Sequence, residues 1–457
     1  MARLFTHSSL KKIAVVPVRT TGCSSCGLAT GCLHPKMEPT GEGRKKILVL
    51  AEAPGEDEDK KGVQLIGKVG QRVRWEFRAL GIDLDRDCRK TNSVRCRPPG
   101  NRTPTPDEIA QCRKHIFDEI QRFHPKVILL LGGPAVISLL GGRWKHDSDL
   151  TISRWRGLTI PDHDLGCWIC PTFHPSYVER AEYQTPAAAV LWKKDIQRAF
   201  SLTEQLLPKK LEPDVIQLTE PYQVEGRLLK LWQYGKARSL VKESAPWAGV
   251  KPGSKEWMRL WKEHPKYHQA MLDYKADPEK TEQLKIDHLT IALDYETTGL
   301  KPYGKEHRIV SCSIADGPEQ VWAWMWQLND SKIAALYREL MQLETVRKIG
   351  ANIKFEHVWT RAKEGFEIKQ WWWDTVTAAH VLDNRRANAN VAFQTYTRLG
   401  ILGFKDDTQS LLRAADSNAL NRIDEIPVTD LLQRNGLDSA YEFAIAMEQR
   451  KEFGYVD

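Results

Sequence analysis

The chain has 457 residues, with 67 Lys and Arg against 59 Asp and Glu, for a formal charge of +8 at neutral pH. Its length suggests about three folding units, and a composition 41% hydrophobic and 28% charged excludes a disordered tail or a fibre. No run approaches about 18 consecutive apolar residues, which excludes a helical membrane span, and the stretch Ile13–Val18, interrupted by Pro17, is too short for a signal peptide.

Taken in chain order, Ile47–Ala51 and Val127–Leu131 are continuous apolar runs that read as buried strands, with helices over Gly70–Leu80 and Pro106–Phe123 and a further strand over Cys167–Thr172. Strand, loop and helix in repetition indicate an α/β unit with a parallel sheet and ligand loops at the strand ends. Residues 205–287 are charged, Pro-punctuated and without strand alternation. They read as a helical connector that Trp232, Trp247, Trp257 and Trp261 dock onto its neighbours. A second α/β unit begins near Ile291, with strands at Ile291–Asp294, Ile309–Ala315 and Val321–Trp326. Helices follow at Ser331–Leu343, His357–Glu364, Asp374–Leu382 and Val428–Lys451, the last with a possible irregularity at Gly436. Three close strands followed by helices suggest a mixed sheet. The expected domains are 1–204, 205–287 and 288–457.

Eight of the nine Cys lie before residue 171, which points to an intracellular protein with one metal-bearing half. Cys23-Ser-Ser-Cys26 is a chelating pair, and Cys96 and Cys112 flank an Arg-Pro-rich loop. Four thiolates so arranged suit either a [4Fe–4S] cluster or zinc. Cys167 and Cys170 form a rival pair, but on a strand residues three apart point to opposite faces and do not converge.

The segments AEAPGEDEDKKGVQLIGKVGQ (51–71), TNSVRCRPPGNRTP (91–104) and FHPSY (173–177) resemble the family 4 uracil-DNA glycosylases over about residues 20 to 200. The resemblance implies a uracil-DNA glycosylase-like parallel-sheet fold and an iron–sulfur cluster on Cys23, Cys26, Cys96 and Cys112. Uracil must leave the base stack for its glycosidic bond to be reached, and negative charge then builds on O2. His174 is the expected donor to O2. Asn92 meets both O4 and N3–H of uracil through one amide, a pattern that cytosine reverses. Glu52 and Glu58 position the hydrolytic water or shape the pocket wall. Gly55, Gly67 and Gly70 permit close backbone approach. Leu65 stands where the family has Phe, so part of the stacking on the base is missing. The unit is then either a glycosylase or a retained DNA-binding module.

Asp294-Tyr-Glu296 ends a buried strand and aims both carboxylates to one face. Asn352-Ile-Lys-Phe-Glu356 places a third acid at an expected strand end, and the last helix offers Asp438. Four converging acids need divalent cations between them, and a pair of such ions (Mg or Mn) supports phosphodiester hydrolysis. The segments LDYETTGLKP (293–302), GANIKFEHVW (350–359), WDTVTAAHVLD (373–383) and RNGLDSAY (434–441) resemble the proofreading 3′–5′ exonuclease domain of family A DNA polymerases over about residues 288 to 453. That likeness implies an RNase H-like (DEDD) fold with metal ligands at Asp294, Glu296, Glu356 and Asp438. Asp374 is expected to cap a helix or support the ligands from behind. Arg434 stands where the family carries Tyr or His to hold the attacking water. Arginine cannot be a base but can bind phosphate, and Tyr441 is the candidate replacement hydroxyl.

The two units in tandem resemble the front of some bacteriophage DNA polymerases. The expectation is a replication or repair editing protein that acts on single-stranded DNA or a frayed 3′ end in the cytoplasm, a host's if phage-encoded. It is either one piece of a longer polymerase or the companion of a separate polymerase subunit; no membrane partner is expected.

Overall fold

Ile47–Ala51 and Val127–Leu131 carry no polar side chain, the composition that a strand covered on both faces requires. The computed structural model describes residues 23–144, 147–181, 186–243, 250–263, 288–403 and 408–455. Ile13–Val18 and Trp247 fall outside them. The chain divides into two compact units, Met1–Lys210 with Asn384–Gly403, and Leu211–Asp383 with Phe404–Asp457.

In the first unit the two apolar runs are β1 (Ile47–Ala51) and β3 (Val127–Leu131). They lie at the centre of a five-stranded sheet with β2 (Cys88–Asn92), β4 (Ile160–Asp162) and β5 (Cys167–Thr172), in the order β2-β1-β3-β5-β4. All pairs are parallel except β4 with β5. Alternate residues serve two cores. Ile47, Val49 and Ala51 pack with Val73, Phe77, Trp192 and Ile196 from the helices Lys68–Ala79 and Pro186–Ser201. Leu48 and Leu50 pack on the other face with Ile116, Ile120 and Leu139 from the helices Pro106–Phe123 and Gly133–Leu140. Cys170 belongs to the first core and Cys167 to the second, so their thiols do diverge.

Residues 384–403 depart from the expected 288–457 domain, because they are built into the first unit. Asn390 caps the helix Val391–Leu399 by accepting from Phe393 N at 3.3 Å. One helical turn apart, Phe393 and Tyr396 enter the core that holds Trp155 and Ile160. The Phe393 ring meets Trp155 at 5.1 Å between centroids. The Tyr396 hydroxyl donates to Asp162 Oδ2 at 2.7 Å, a carboxylate that Arg143 also pairs with at 2.8 Å. Gly400 follows at φ +69°, where a Cβ would stand 1.7 Å from the carbonyl oxygen of Pro161, so only glycine fits.

The second unit is a mixed six-stranded sheet in the order β11-β10-β7-β8-β9-β6. Its strands are β6 (Asp214–Leu218), β7 (Leu289–Thr297), β8 (Ile309–Ala315), β9 (Gln320–Met325), β10 (Val346–Gly350) and β11 (Trp371–Asp374). The connector expectation for 205–287 is corrected at its start. Asp214–Leu218 joins the sheet parallel to β9, and the helix Pro221–Glu243 buries Val224, Leu228 and Leu231 in the unit's main core, with Trp232 packed against it. Trp257 is buried as well, on the short helix Lys255–Glu263.

On β7 the period of two separates chemistry from packing. Ile291, Leu293 and Tyr295 enter the main core, while Ala292 faces the core formed with Ala440 and Ala446 of the long helix Val428–Glu452. That helix is continuous through Gly436. Glycine is needed there for packing, since a Cβ would stand 2.5 Å from Val215 Cγ1 of β6. Among the described residues no helix is long and apolar enough to cross a membrane.

Candidate active sites

The parallel strands of the first unit all deliver residues to one edge. Asn92 ends β2, Glu52 follows β1, Gly132 follows β3 and His174 lies two residues past β5. Ligands bind at this carboxyl edge in open α/β sheets because the loops there converge and the strand ends present unpaired groups. Gly132 sits at φ +93°, and a Cβ on it would come 2.9 Å from His174 Cβ, so glycine lets the histidine loop close over the sheet.

His174 is a neutral donor. Burial, with a smaller contribution from Arg180, pushes its pKa down to about 4. The backbone N–H of Ser176 donates to Nδ1 at 3.3 Å, and Ser176 Oγ lies 2.7 Å from the same nitrogen. A backbone amide can only donate, so Nδ1 accepts and the ring proton resides on Nε2. Asn92 is 1% exposed; its Nδ2 donates to Gln64 Oε1 and its Oδ1 has no partner. An orphaned buried carbonyl of this kind is costly unless a ligand completes it. Gln64, itself fully buried, was not evident from sequence.

The two glutamates separate. Glu52 is partly buried, and desolvation raises its pKa against an opposing hydrogen bond from Thr103. Glu58 is not free to handle water. Its Oε2 accepts from Gly55 N at 3.1 Å, and its Oε1 from Ile66 N at 2.9 Å and Gly67 N at 2.7 Å. It therefore ties two loops together, and the wall-shaping role is the one its bonds permit. Between those loops Leu65 is 5% exposed, at φ +51°, with its side chain in the core. Gly70 makes this fold possible, since a Cβ there would stand 2.0 Å from the Leu65 carbonyl oxygen.

Cys23, Cys26, Cys96 and Cys112 line one small cavity with Leu28 and Ala29. Burial raises the Cys112 thiol to about 11, and the neighbouring Cys96, Cys23 and Cys26 add to it. Four thiols around one cavity are a donor set that either an iron–sulfur cluster or zinc would accept. Two groups address the sulfurs from outside: Lys36 N donates to Cys96 Sγ at 3.2 Å, and His115 Nε2 lies 3.6 Å from Cys23 Sγ.

In the second unit Asp294, Glu296 and Asp438 bring carboxylate oxygens within 4.8 Å of one another. They line an open cleft of about 380 Å³ with Leu300, Gln409, Leu412, Arg413 and Arg434. Tyr295 between the acids points the other way, and its hydroxyl lies 2.9 Å from Thr360 Oγ1 inside the core. Asn435 Nδ2 donates to Asp294 Oδ2 at 2.6 Å, a contact sequence reading missed.

Glu356 differs from expectation. Asn352, at φ +64°, ends the extended backbone, and Glu356 falls in the first turn of the helix Lys354–Glu364 instead of at a strand end. It stays outside the three-carboxylate set, is 2% exposed, and its Oε2 has no hydrogen-bond partner. Burial pushes its pKa up to about 8. Asp374 caps the helix Thr375–Leu382 through Val376 N at 2.9 Å and also accepts from Asn352 N at 3.0 Å. Tyr441 is 4% exposed and outside the cleft lining, and burial raises its hydroxyl to about 12. The charge of nearby Asp438 adds to that rise.

Residues 38–196 match the uracil DNA glycosylase superfamily, and residues 269–411 match a 3′-5′ exonuclease family. The type-4 uracil-DNA glycosylase of Thermotoga maritima is 34% identical over 204 residues, which is 44% of this chain and 99% of that protein. The type-4 enzyme of Pyrobaculum aerophilum is 31% identical over 183 residues, 39% of this chain and 88% of that protein. The DNA polymerase of Bacillus phage SP01 is 30% identical over 181 residues, 39% of this chain but 18% of the polymerase. Through its N-terminal unit the chain belongs to the type-4 uracil-DNA glycosylase family, and it is an enzyme that couples this unit to a 3′–5′ exonuclease domain.

Proposed function

We propose that the chain is a DNA-editing enzyme that removes nucleotides from a 3′ end with divalent metal and excises uracil from the same substrate. The observation that carries the nuclease half is the convergence of Asp294, Glu296 and Asp438 in one open cleft. Divalent cations held there would activate water and offset charge on the departing 3′-oxygen. The protein's own part is to orient the acids: β7 sets two on one face, and the helix Val428–Glu452 brings the third.

For uracil excision, an extruded base would offer N3–H to Asn92 Oδ1, O4 to Asn92 Nδ2, and O2 to the Nε2 proton of His174. Cytosine has no N3 proton and would leave Oδ1 orphaned, which accounts for discrimination. Donation from a neutral imidazole strengthens as charge builds on O2, so the contact favours the transition state over bound substrate. Cys23, Cys26, Cys96 and Cys112, which line one cavity, would hold a [4Fe–4S] cluster, a reading supported by membership of the type-4 family. When bound there it would cross-link the N-terminal segment, the loop after β2 and the helix Pro106–Phe123. Leu65, aliphatic and folded into the core, favours a second reading in which this unit binds uracil-containing DNA without cleaving it.

We place the protein in the cytoplasm, acting on single strands or frayed ends beside a polymerase. The test is a 5′-labelled single strand bearing one internal uracil, incubated with Mg²⁺ or Mn²⁺. Ladder-like shortening that Asp294→Ala abolishes, and abasic-site formation that His174→Ala abolishes without metal, are the expected results. Shortening at an equal rate in Asp294→Ala would overturn the nuclease assignment, and no base release from cluster-loaded protein would leave only the binding reading.

A further inference from the structure

Arg434 enters the nuclease cleft from the long helix, four residues before Asp438. Its Nε donates to Glu296 Oε1 at 3.1 Å and its Nη1 to Thr408 Oγ1 at 2.9 Å, and the residue is 9% exposed. A guanidinium held from two sides and largely shielded from water is a fixed charge of the site, unlike a mobile surface arginine. It bonds directly to one of the three clustered acids, while Asn435, the next residue, bonds Asp294. The fourth expected acid, Glu356, lies outside the cluster.

We infer that Arg434 takes the place of one of the two divalent cations, so that this nuclease site binds a single metal ion. The charge balance is direct. Asp294, Glu296 and Asp438 carry three negative charges, Arg434 returns one positive, and the remaining two match one divalent ion. A second dication beside a shielded guanidinium would meet like-charge repulsion at short range in a site of reduced dielectric. Arg434 also occupies one carboxylate oxygen of Glu296. The arginine thus supplies charge without exchanging ligands, and Asp294, Glu296 and Asp438 would hold the single ion. The inference rests on the metal-nuclease reading above, but it concerns stoichiometry, which can fail while that reading stands.

The test counts bound Mn²⁺ by the electron paramagnetic resonance of the free ion during titration of the full chain. Counts are corrected with an Asp294→Ala, Glu296→Ala double variant. The expected result is one carboxylate-dependent site in the unmodified protein, one in Arg434→Lys, and two in Arg434→Gln, with thermal unfolding checking that each variant is folded. Two sites in the unmodified protein would overturn the inference and leave the metal-nuclease reading intact. A single site in both the unmodified protein and Arg434→Gln would also overturn it, because the arginine would then not be what excludes the second ion. No carboxylate-dependent site in any form would overturn both.

Discussion

The backbone N–H of Ser176 donates to Nδ1 of His174 at 3.3 Å, and that single contact decides where the imidazole proton lies. With Nδ1 occupied as an acceptor and desolvation lowering the ring's pKa, Nε2–H is the form present through the neutral range.

Uracil release should therefore show no inflection near 6.5, the ordinary histidine value, as pH is lowered from 8, and should fall only as pH approaches about 4. Stability follows the same group. Its folded pKa is depressed, so the neutral ring's contribution is complete above about 6.5 and is lost as pH falls toward about 4. His174→Gln should flatten that part of the stability profile, measured by thermal unfolding across pH 4 to 7.

Glu58 receives three backbone amides from two loops, so its removal should loosen both. Glu58→Ala leaves three half-buried amide donors without this acceptor, at up to about 1–3 kcal/mol each where water does not replace it. The expected outcome is a lower midpoint for the N-terminal unit and weaker binding of uracil-containing strands, with nuclease rate unchanged. Glu58→Gln should recover part of the loss, because one amide oxygen still accepts. A variant with full binding and unaltered unfolding would show the glutamate to be dispensable.

Glu356 predicts a pH effect of opposite sign. Its folded pKa is raised to about 8, so the protonated form is the one the metal-free fold favours. Stability is complete below about 4.3, the ordinary glutamate value, and is lost as pH rises through about 8. Glu356→Gln should raise the unfolding temperature in chelator above pH 8 and leave it nearly unchanged at pH 4. Equal melting of both forms across the range would refute the buried-acid account.

Phe393 and Tyr396 sit in the core of the first unit although they come late in the chain. Phe393→Ala should cost about 3–5 kcal/mol, and the loss should fall on the N-terminal unit. Uracil binding is expected to melt out earlier in temperature while nuclease activity persists. Tyr396→Phe should cost less, but it removes the hydroxyl donor from buried Asp162, leaving Arg143 as that carboxylate's charged partner.

What could be read from sequence was local. β1, β3, β5 and β8 were legible from apolar runs, and the shared face of Asp294 and Glu296 followed from strand geometry alone. The positions of Glu52, Asn92 and His174 were legible because their motifs fall at the strand ends of a parallel sheet. What was hidden depends on partners far away in the chain. Asp214–Leu218 runs from exposed Asp214 through three half-buried residues to buried Leu218, so its sequence lacks the strong pattern of an inner strand, and pairing with β9 alone makes it one. Glu356 was misplaced because Asn352 adopts a left-handed backbone that halts the strand, and asparagine was the one signal of it. Gln64 and Asn435 look like ordinary polar residues until the fold sets them beside Asn92 and Asp294.

The excursion of residues 384–403 also sets an order of events during synthesis. Every strand of the second sheet, β11 included, precedes Val391, so all of them have been translated before the ribosome delivers the helix that completes the first unit. The glycosylase half begins its life first but waits for the whole second sheet before it is finished, and a gene cut after Lys210 yields a polypeptide lacking its own closing piece.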